Sequence, residues 1–470
     1  VVSREVVLAA RKETLSGTGC FGMREERHLY IRTFGCQMNV HDSEQMEALL
    51  MKEGFRITDT DKSADLIIVN TCSIREKAEQ KVYSILGRYR GLKQARPGMI
   101  IGVGGCMAQQ KGAELLARAP YIDFVFGTHN IHRLPEIVKD VERNRARRVE
   151  TCFHDSVYSI GIVTPPHNGS VSSFVTIMQG CNNFCSFCVV PYLRGREESR
   201  EIKDIVDEIT ILASHGVKEV TLLGQNVNSY GNTLHNGADF PSLLKKIGDI
   251  EGIERIRFTT SHPKDLSDGL IECFATVDKL CEHIHLPVQS GSDSVLKRMN
   301  RRYDADDYLR KVNKLREVCP RISISTDFIV GFPGESESDF QKTIDLMEEV
   351  RFDDAFSFKY SARPGTAAEK LDDKIPEPVK RERLMRVQEL QQIHTVEKNH
   401  ALKGTVEDIL VVGLSKNSPT DVSGRTKTNR IVNFEGEREL IGETVCVSIH
   451  NTYIHSLRGK LFEKERNQKC

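Results

Sequence analysis

The segment MQGCNNFCSFCVVPYLRG sets Cys181, Cys185 and Cys188 in a C-x3-C-x2-C spacing. Three thiolates in one short loop can wrap three irons of a cubane cluster. The fourth iron then has no protein ligand. An open iron suits a chelating group such as the amino and carboxylate ends of methionine. Structural zinc wants four closed ligands, and no fourth Cys or His lies within this loop. A set of buried thiols is the bland alternative, since free Cys behaves as a small apolar residue. Phe187, between the last two cysteines, is expected to shield the cluster from water.

A second set of three is spread along the chain. Cys36 follows the run LYIRTF, Cys72 follows DLIIVN and Cys106 follows MIIGVG. Each stands just past the end of an expected strand. In a parallel sheet those ends share one edge, where open α/β sheets bind ligands. Small neighbours (Gly35, Gly104, Gly105) would let the backbone approach closely. Three thiols at equivalent topological positions could converge, although pattern alone leaves open three ordinary core cysteines. The count of 13 cysteines is odd and the chain is large, so a disulfide framework is not expected. Cys20, Cys152, Cys273, Cys281, Cys319, Cys446 and Cys470 read as ordinary thiols.

The elements that must position these residues follow from periodicity. Residues 1–26 read as an extension. From 27 to 147 short apolar runs alternate with helical stretches, which predicts a doubly wound parallel sheet. Residues 148–173, rich in charge, Pro and Gly, read as a linker. From 174 to 403 six further strand–helix units predict a partial TIM-like (β/α)6 barrel, with function at the C-terminal ends of its strands. Residues 404–466 turn β-rich, with Gly and Asn turns, and read as a small β-barrel. The fold class is therefore α/β with an appended β-barrel.

Composition bounds the function classes. Of 470 residues, 39% are hydrophobic and 28% charged, an ordinary globular balance. Lys plus Arg and Asp plus Glu both number 66, so net charge points to no nucleic-acid partner. A local basic patch would still hold a phosphate backbone. No apolar run of membrane-spanning length and no signal peptide is evident, so no membrane association and a cytoplasmic site are expected.

The C-x3-C-x2-C loop, with an aromatic before its last Cys, resembles the radical S-adenosylmethionine (SAM) superfamily. The segments TFGCQMNVHDSE, VNTCSIREKAEQKVYSILG and GVGGCMAQQ resemble the N-terminal domain of the methylthiotransferase family, and GRTKTNRIVNFEG is similar to its TRAM domain. GCQMN, SIREKAE and GRTKTNR look like the branch acting on N6-isopentenyladenosine in bacterial tRNA. The match runs from about Arg27 to Phe462. The resemblance implies an auxiliary 4Fe-4S cluster on Cys36, Cys72 and Cys106, beside the SAM-cleaving cluster on Cys181, Cys185 and Cys188. It implies one SAM as methyl donor and another as radical source, with a methylthio group placed on carbon 2 of the adenine next to the anticodon. General acid–base groups contribute only about 10²–10⁴-fold, which is why an aromatic C–H of this kind calls for a radical. An electron donor such as flavodoxin or ferredoxin and a monomeric state are also expected. A related enzyme for threonylcarbamoyladenosine tRNA or a ribosomal protein, and an electron-transfer or cluster-carrier protein, are the competing readings.

Within the barrel, Gly224, Gln225, His285, Gln289, Asp327 and Gly331 follow or end expected strands and are candidates for holding SAM. Arg194 and Arg196, after the cluster loop, are candidate contacts to substrate or SAM. In the TRAM-like segment Arg425, Lys427 and Arg430 share one expected loop and are candidates for meeting tRNA phosphates. A solvated charged turn is the bland alternative there.

Overall fold

The computed structural model describes residues 26–73, 76–153, 169–416 and 418–462. The expected extension, save residue 26, lies outside them, as do residues 463–466 and most of the expected linker. The described residues divide into two compact units, one running to residue 153 with Tyr192–Gly195 and the other from 169 to 462 without those four.

The first unit is built on six parallel strands: β1 (Arg27–Thr33), β2 (Phe55–Ile57), β3 (Leu66–Thr71), β4 (Ile100–Gly105), β5 (Phe124–Phe126) and β6 (Arg148–Glu150). Their order is β2-β1-β3-β4-β5-β6. β3 and β4 are buried along their whole length, as strands covered on both faces must be. Alternate residues serve opposite faces. Ile67 and Val69 pack with Val82, Leu86 and Tyr89, while Leu66 and Ile68 pack with Met46 and Leu50. Arg148–Glu150 pairs with β5, so the expected linker does not begin at 148. Three charged-flanked residues at a sheet edge carry no apolar period that would have marked them as a strand.

The second unit opens with β7 (Ser172–Thr176) and a short ladder of β8 (Met178–Gln179) and β9 (Glu198–Ser199). β10 (Glu219–Leu223), β11 (Arg255–Thr259), β12 (His283–His285), β13 (Ser323–Val330) and β14 (Asp354–Lys359) follow, with helices between them. They form two parallel sheets, β11-β10-β7 and β12-β13-β14, joined by a bridge from Ile256 to Leu280. Among the described residues β7 and β14 do not pair, so the six strands make an open barrel. Three of its helices start at capping boxes, on Asp239, Asp304 and Ser336. Such caps satisfy the first orphan N–H groups and fix where each helix begins. The core lies between strands and helices, where Ile256, Ile284, Phe328 and Phe340 are buried. After the helix Glu377–His400, five strands close a small barrel: β15 (Val406–Leu414), β16 (Asp421–Arg425), β17 (Ile431–Glu435), β18 (Thr444–Thr452) and β19 (Leu457–Leu461). No described helix is long and apolar enough to cross a membrane.

Candidate active site

Cys181, Cys185 and Cys188 lie in the loop that leaves the C-terminal end of β7 and β8. That end is where barrel enzymes carry their chemistry. Several bonds fix the loop. The Gly180 N–H donates to Gln225 Oε1 at 2.5 Å. Asn300 Nδ2 donates to the carbonyls of Asn183 and Phe184 at 3.2 and 2.9 Å. The Cys188 N–H donates to the Cys185 carbonyl at 2.9 Å. Burial, joined by the charge of Cys185, pushes the Cys181 thiol up to about 11 and the Cys188 thiol up to about 12. A metal held by these thiols would therefore displace protons. Arg301 is 4% exposed. It donates to Cys185 Sγ at 3.3 Å, to the Pro287 carbonyl at 2.6 Å and to Tyr303 Oη at 2.8 Å. A guanidinium held on a sulfur favours the thiolate. His262 Nε2 lies 4.0 Å from the same sulfur, and burial together with Arg301 keeps that ring neutral.

Buried polar atoms without a protein partner gather along the same strand ends: Thr176 Oγ1, Gln179 Nε2, Gln225 Nε2, Asn226 Oδ1 and Ser261 Oγ. Leaving such an atom unpaired costs about 1–3 kcal/mol, a cost that a polar ligand bound at these strand ends would offset. Three thiols beside these atoms fit a cluster with SAM upon it. Among the described residues no three Cys, His or acidic side chains crowd one point as a single metal ion requires. A cubane spreads its thiolates over separate irons.

Other residues singled out from sequence fall as follows. Phe187 packs with Ile329 against Phe332 and Tyr360, an apolar cover for the loop. Gly224 lies against Met178, whose Cγ would be 2.5 Å from an added Cβ. The Gln289 N–H donates to the Asp327 carbonyl at 2.8 Å. Gly331 has φ +69°, and its N–H donates to Glu335 Oε2 at 2.6 Å, so it serves a turn. His285 and Asp327 meet at 3.5 Å, and His285 Nδ1 is 3.0 Å from Ser325 Oγ. Arg196 lies over the Phe184 ring, 4.5 Å from its centroid. Sequence reasoning missed Arg301, Thr176, Gln179, Ser261 and His262. The last two stand just past RIRFTT, so the strand-end rule could have found them.

In the first unit Cys36, Cys72 and Cys106 follow β1, β3 and β4, three adjacent strands. The direction of the strand order reverses between β1 and β3, the switch point where such sheets bind ligands. A Cβ on Gly35 would lie 2.8 Å from Cys72 Cβ, so the backbone just before Cys36 packs against Cys72. Cys106 is raised by burial, which Arg194 opposes and the charge of Cys36 reinforces. Gly105, at φ +90°, brings its backbone where a Cβ would lie 2.4 Å from the Thr71 carbonyl. Beneath the thiols Asn39 Nδ2 donates to Asn70 Oδ1 at 3.1 Å and to the Thr71 carbonyl at 3.0 Å. Arg194, 5% exposed, donates to Asp42 Oδ2 at 2.6 Å. Arg194 thus belongs with the Cys106 site, where its charge favours thiolates. Three thiols and a buried cation fit a second anionic cluster.

The loop holding Arg425, Lys427 and Arg430 packs against the open barrel. Arg257 donates to the Thr426 and Lys427 carbonyls at 2.8 and 3.4 Å. Arg255 donates to the Arg425 and Asp408 carbonyls. Lys427 donates to the Asp278 carbonyl at 3.0 Å, and Arg430 pairs with Asp353 at 2.7 Å. Arg425 donates to Asn429 Oδ1 at 2.7 Å. Burial holds Arg425 below its usual range. Each of the three expected phosphate contacts thus has a partner within the protein, while all three side chains stay partly exposed. The loop seats the small barrel on the N-terminal end of the larger one.

The radical SAM superfamily matches residues 175–347, the open barrel and its three-thiol loop. The Uncharacterized protein family UPF0004 matches 28–127 and the TRAM domain 400–462. A 4Fe-4S cluster and SAM go with such a barrel. The tRNA-2-methylthio-N(6)-dimethylallyladenosine synthase of Syntrophus aciditrophicus is 59% identical over 454 residues, 97% of this chain and 98% of that protein. That of Geobacter sulfurreducens is 53% identical over 440 residues, 93% of this chain and 98% of its own length. The chain belongs to the tRNA-2-methylthio-N(6)-dimethylallyladenosine synthase family. Among solved structures, the radical SAM methyltransferase TsrM from Kitasatospora setae is similar in fold, with TM-score 0.54 and 16% identity over 82% of this chain and 78% of that one.

Proposed function

We propose that the protein places a methylthio group on carbon 2 of N6-isopentenyladenosine beside the anticodon of tRNA. The observation that carries this reading is the fixed three-thiol loop of the barrel, in a chain whose relatives are named for that product. When bound, two 4Fe-4S clusters and SAM supply the radical, the sulfur and the methyl group; the protein supplies orientation and exclusion of water. Cys181, Cys185 and Cys188 hold one cluster, and Cys36, Cys72 and Cys106 the other. Arg301 and Arg194 each fix a positive charge beside a thiolate set. Gln179, Gln225, Asn226 and Ser261 receive the polar groups of SAM, with Gly224, Gln289 and Gly331 shaping the strand ends around them. Phe187 keeps water from the loop.

The β15–β19 barrel contacts tRNA through surface other than its docked loop, where Lys416, Arg438 and Lys460 are exposed. The protein works as a cytoplasmic monomer, reduced by a flavodoxin- or ferredoxin-like donor. Anaerobic reconstitution with iron and sulfide, then dithionite, SAM and isopentenylated tRNA, tests the reading. The expected products are 5′-deoxyadenosine and the methylthiolated nucleoside. A reconstituted protein that leaves SAM intact would refute it.

A further inference from the structure

Phe356 is a large aromatic residue that a barrel strand would ordinarily bury, yet it is 48% exposed. Its placement explains this. On β12 and β13 the residues Ile284 and Phe328 face the helices and are fully buried. Their neighbours His285, Ser325 and Asp327 therefore face the barrel interior, since successive strand residues alternate. In register, Asp327 stands opposite Phe356. The Phe356 ring meets His285 edge-on, with centroids 6.0 Å apart. β14 is an edge strand, so this ring lines the interior at the open side of the barrel. One apolar face and one polar wall, His285 with Asp327, thus meet on the inner face of the barrel.

We infer that Phe356 is a specificity-determining residue, the platform on which the isopentenylated adenine stacks. This rests on the function proposed above. An enzyme that acts on a base must take it out of the stack into a pocket. A flipped base is then held by stacking and by contacts to its edge. The Phe356 ring offers a π-face for the purine and apolar surface for the added isoprenoid carbons. Asp327 supplies an acceptor at the same level, suited to the one N–H that a substituted N6 retains. His285 is held by Ser325 and Asp327, so the wall is fixed before the base arrives. These two residues then belong to the substrate and not to SAM, as sequence position alone had suggested.

The test uses reconstituted full-length protein and anticodon stem-loops with and without the isopentenyl group. Selectivity is the ratio of their kcat/KM values. Phe356→Ala is expected to raise KM for the isopentenylated stem-loop about tenfold, the scale of one base–aromatic stack, and to shrink the selectivity. SAM cleavage without RNA, iron content and the melting curve are expected to match the parent protein. Phe356→Tyr is expected to keep selectivity, because the π-face remains. Unchanged selectivity in Phe356→Ala overturns the inference alone. A raised KM for SAM in RNA-free cleavage also overturns it, by making the ring a cofactor contact. A parent protein that does not distinguish the two stem-loops would instead overturn the proposed function on which the inference rests.

Discussion

Arg257 of the open barrel donates to the Thr426 carbonyl of the small barrel at 2.8 Å, while its Nε donates to Glu219 Oε2 at the same distance. All three residues are buried. One guanidinium thus closes the N-terminal end of the larger barrel and docks the smaller one. Removing it would leave a buried carboxylate unpaired, which costs about 3–5 kcal/mol. Arg257→Ala is expected to lower unfolding stability by that order. Glu219→Gln with Arg257→Met should recover much of the loss, since replacing both partners removes the stranded charge. Equal melting curves for Arg257→Ala and the parent would show that the docked loop contributes nothing.

Asp353 makes the same joint sensitive to acid. Burial works to raise its carboxyl, but Lys398 and Arg430 outweigh that and hold it below its ordinary value. Burial also draws Lys398 down, so Arg430 is the firmer counter-charge. The folded value lies below the unfolded value of about 3.9. The stabilisation is therefore complete at neutral pH and is lost as pH falls from about 4 through the depressed value. The stability gap between the parent and Asp353→Asn is expected to be constant above about pH 5 and to shrink below about pH 4. Denaturant melts across pH 3–7 measure it, and a gap that widens in acid would contradict the assignment.

The barrel cysteines should account for half of the metal. Two 4Fe-4S clusters give about eight irons per chain. Replacing Cys181, Cys185 and Cys188 by Ala is expected to leave about four irons and to abolish 5′-deoxyadenosine formation. Iron analysis after anaerobic reconstitution reads this directly. A variant that lost no iron would remove the barrel loop from the chemistry.

Replacing Cys36, Cys72 and Cys106 by Ala should have the complementary effect. The barrel loop is intact in that variant, so 5′-deoxyadenosine is expected to form while the methylthiolated nucleoside does not. Chromatography of both products from one reaction decides it. Normal methylthiolation would exclude the first-unit thiols from sulfur delivery.

What was legible in the sequence was what repeats or what is local. Long apolar runs such as DLIIVN and MIIGVG announced buried parallel strands, and the cysteines past them fell at one sheet edge. β2 and β6, three residues each at or near the sheet edges, were too short for a period to show. Arg194 lies close to Cys188 in sequence yet belongs to the first unit, and only the fold could place it beside Cys106. Arg425, Lys427 and Arg430 gave no sign of their protein partners, because a cationic turn has one appearance whether it meets phosphate, carboxylate or carbonyl. Its partners, Asp278 and Asp353 on the barrel and the arginines Arg255 and Arg257, are distant in the chain. Phe356 carried no signal as a residue type, since strands are rich in Phe. Its exposure inside an open barrel distinguishes it.

Nucleoside mass spectrometry of tRNA reads the proposed reaction at its product. The gene is deleted in its host and restored either intact or with Cys181, Cys185 and Cys188 replaced by Ala. The deletion strain is expected to accumulate N6-isopentenyladenosine and to lack its 2-methylthio derivative, with only the intact gene restoring it. Unchanged levels of the 2-methylthio nucleoside in the deletion strain, or full restoration by the triple variant, would contradict it.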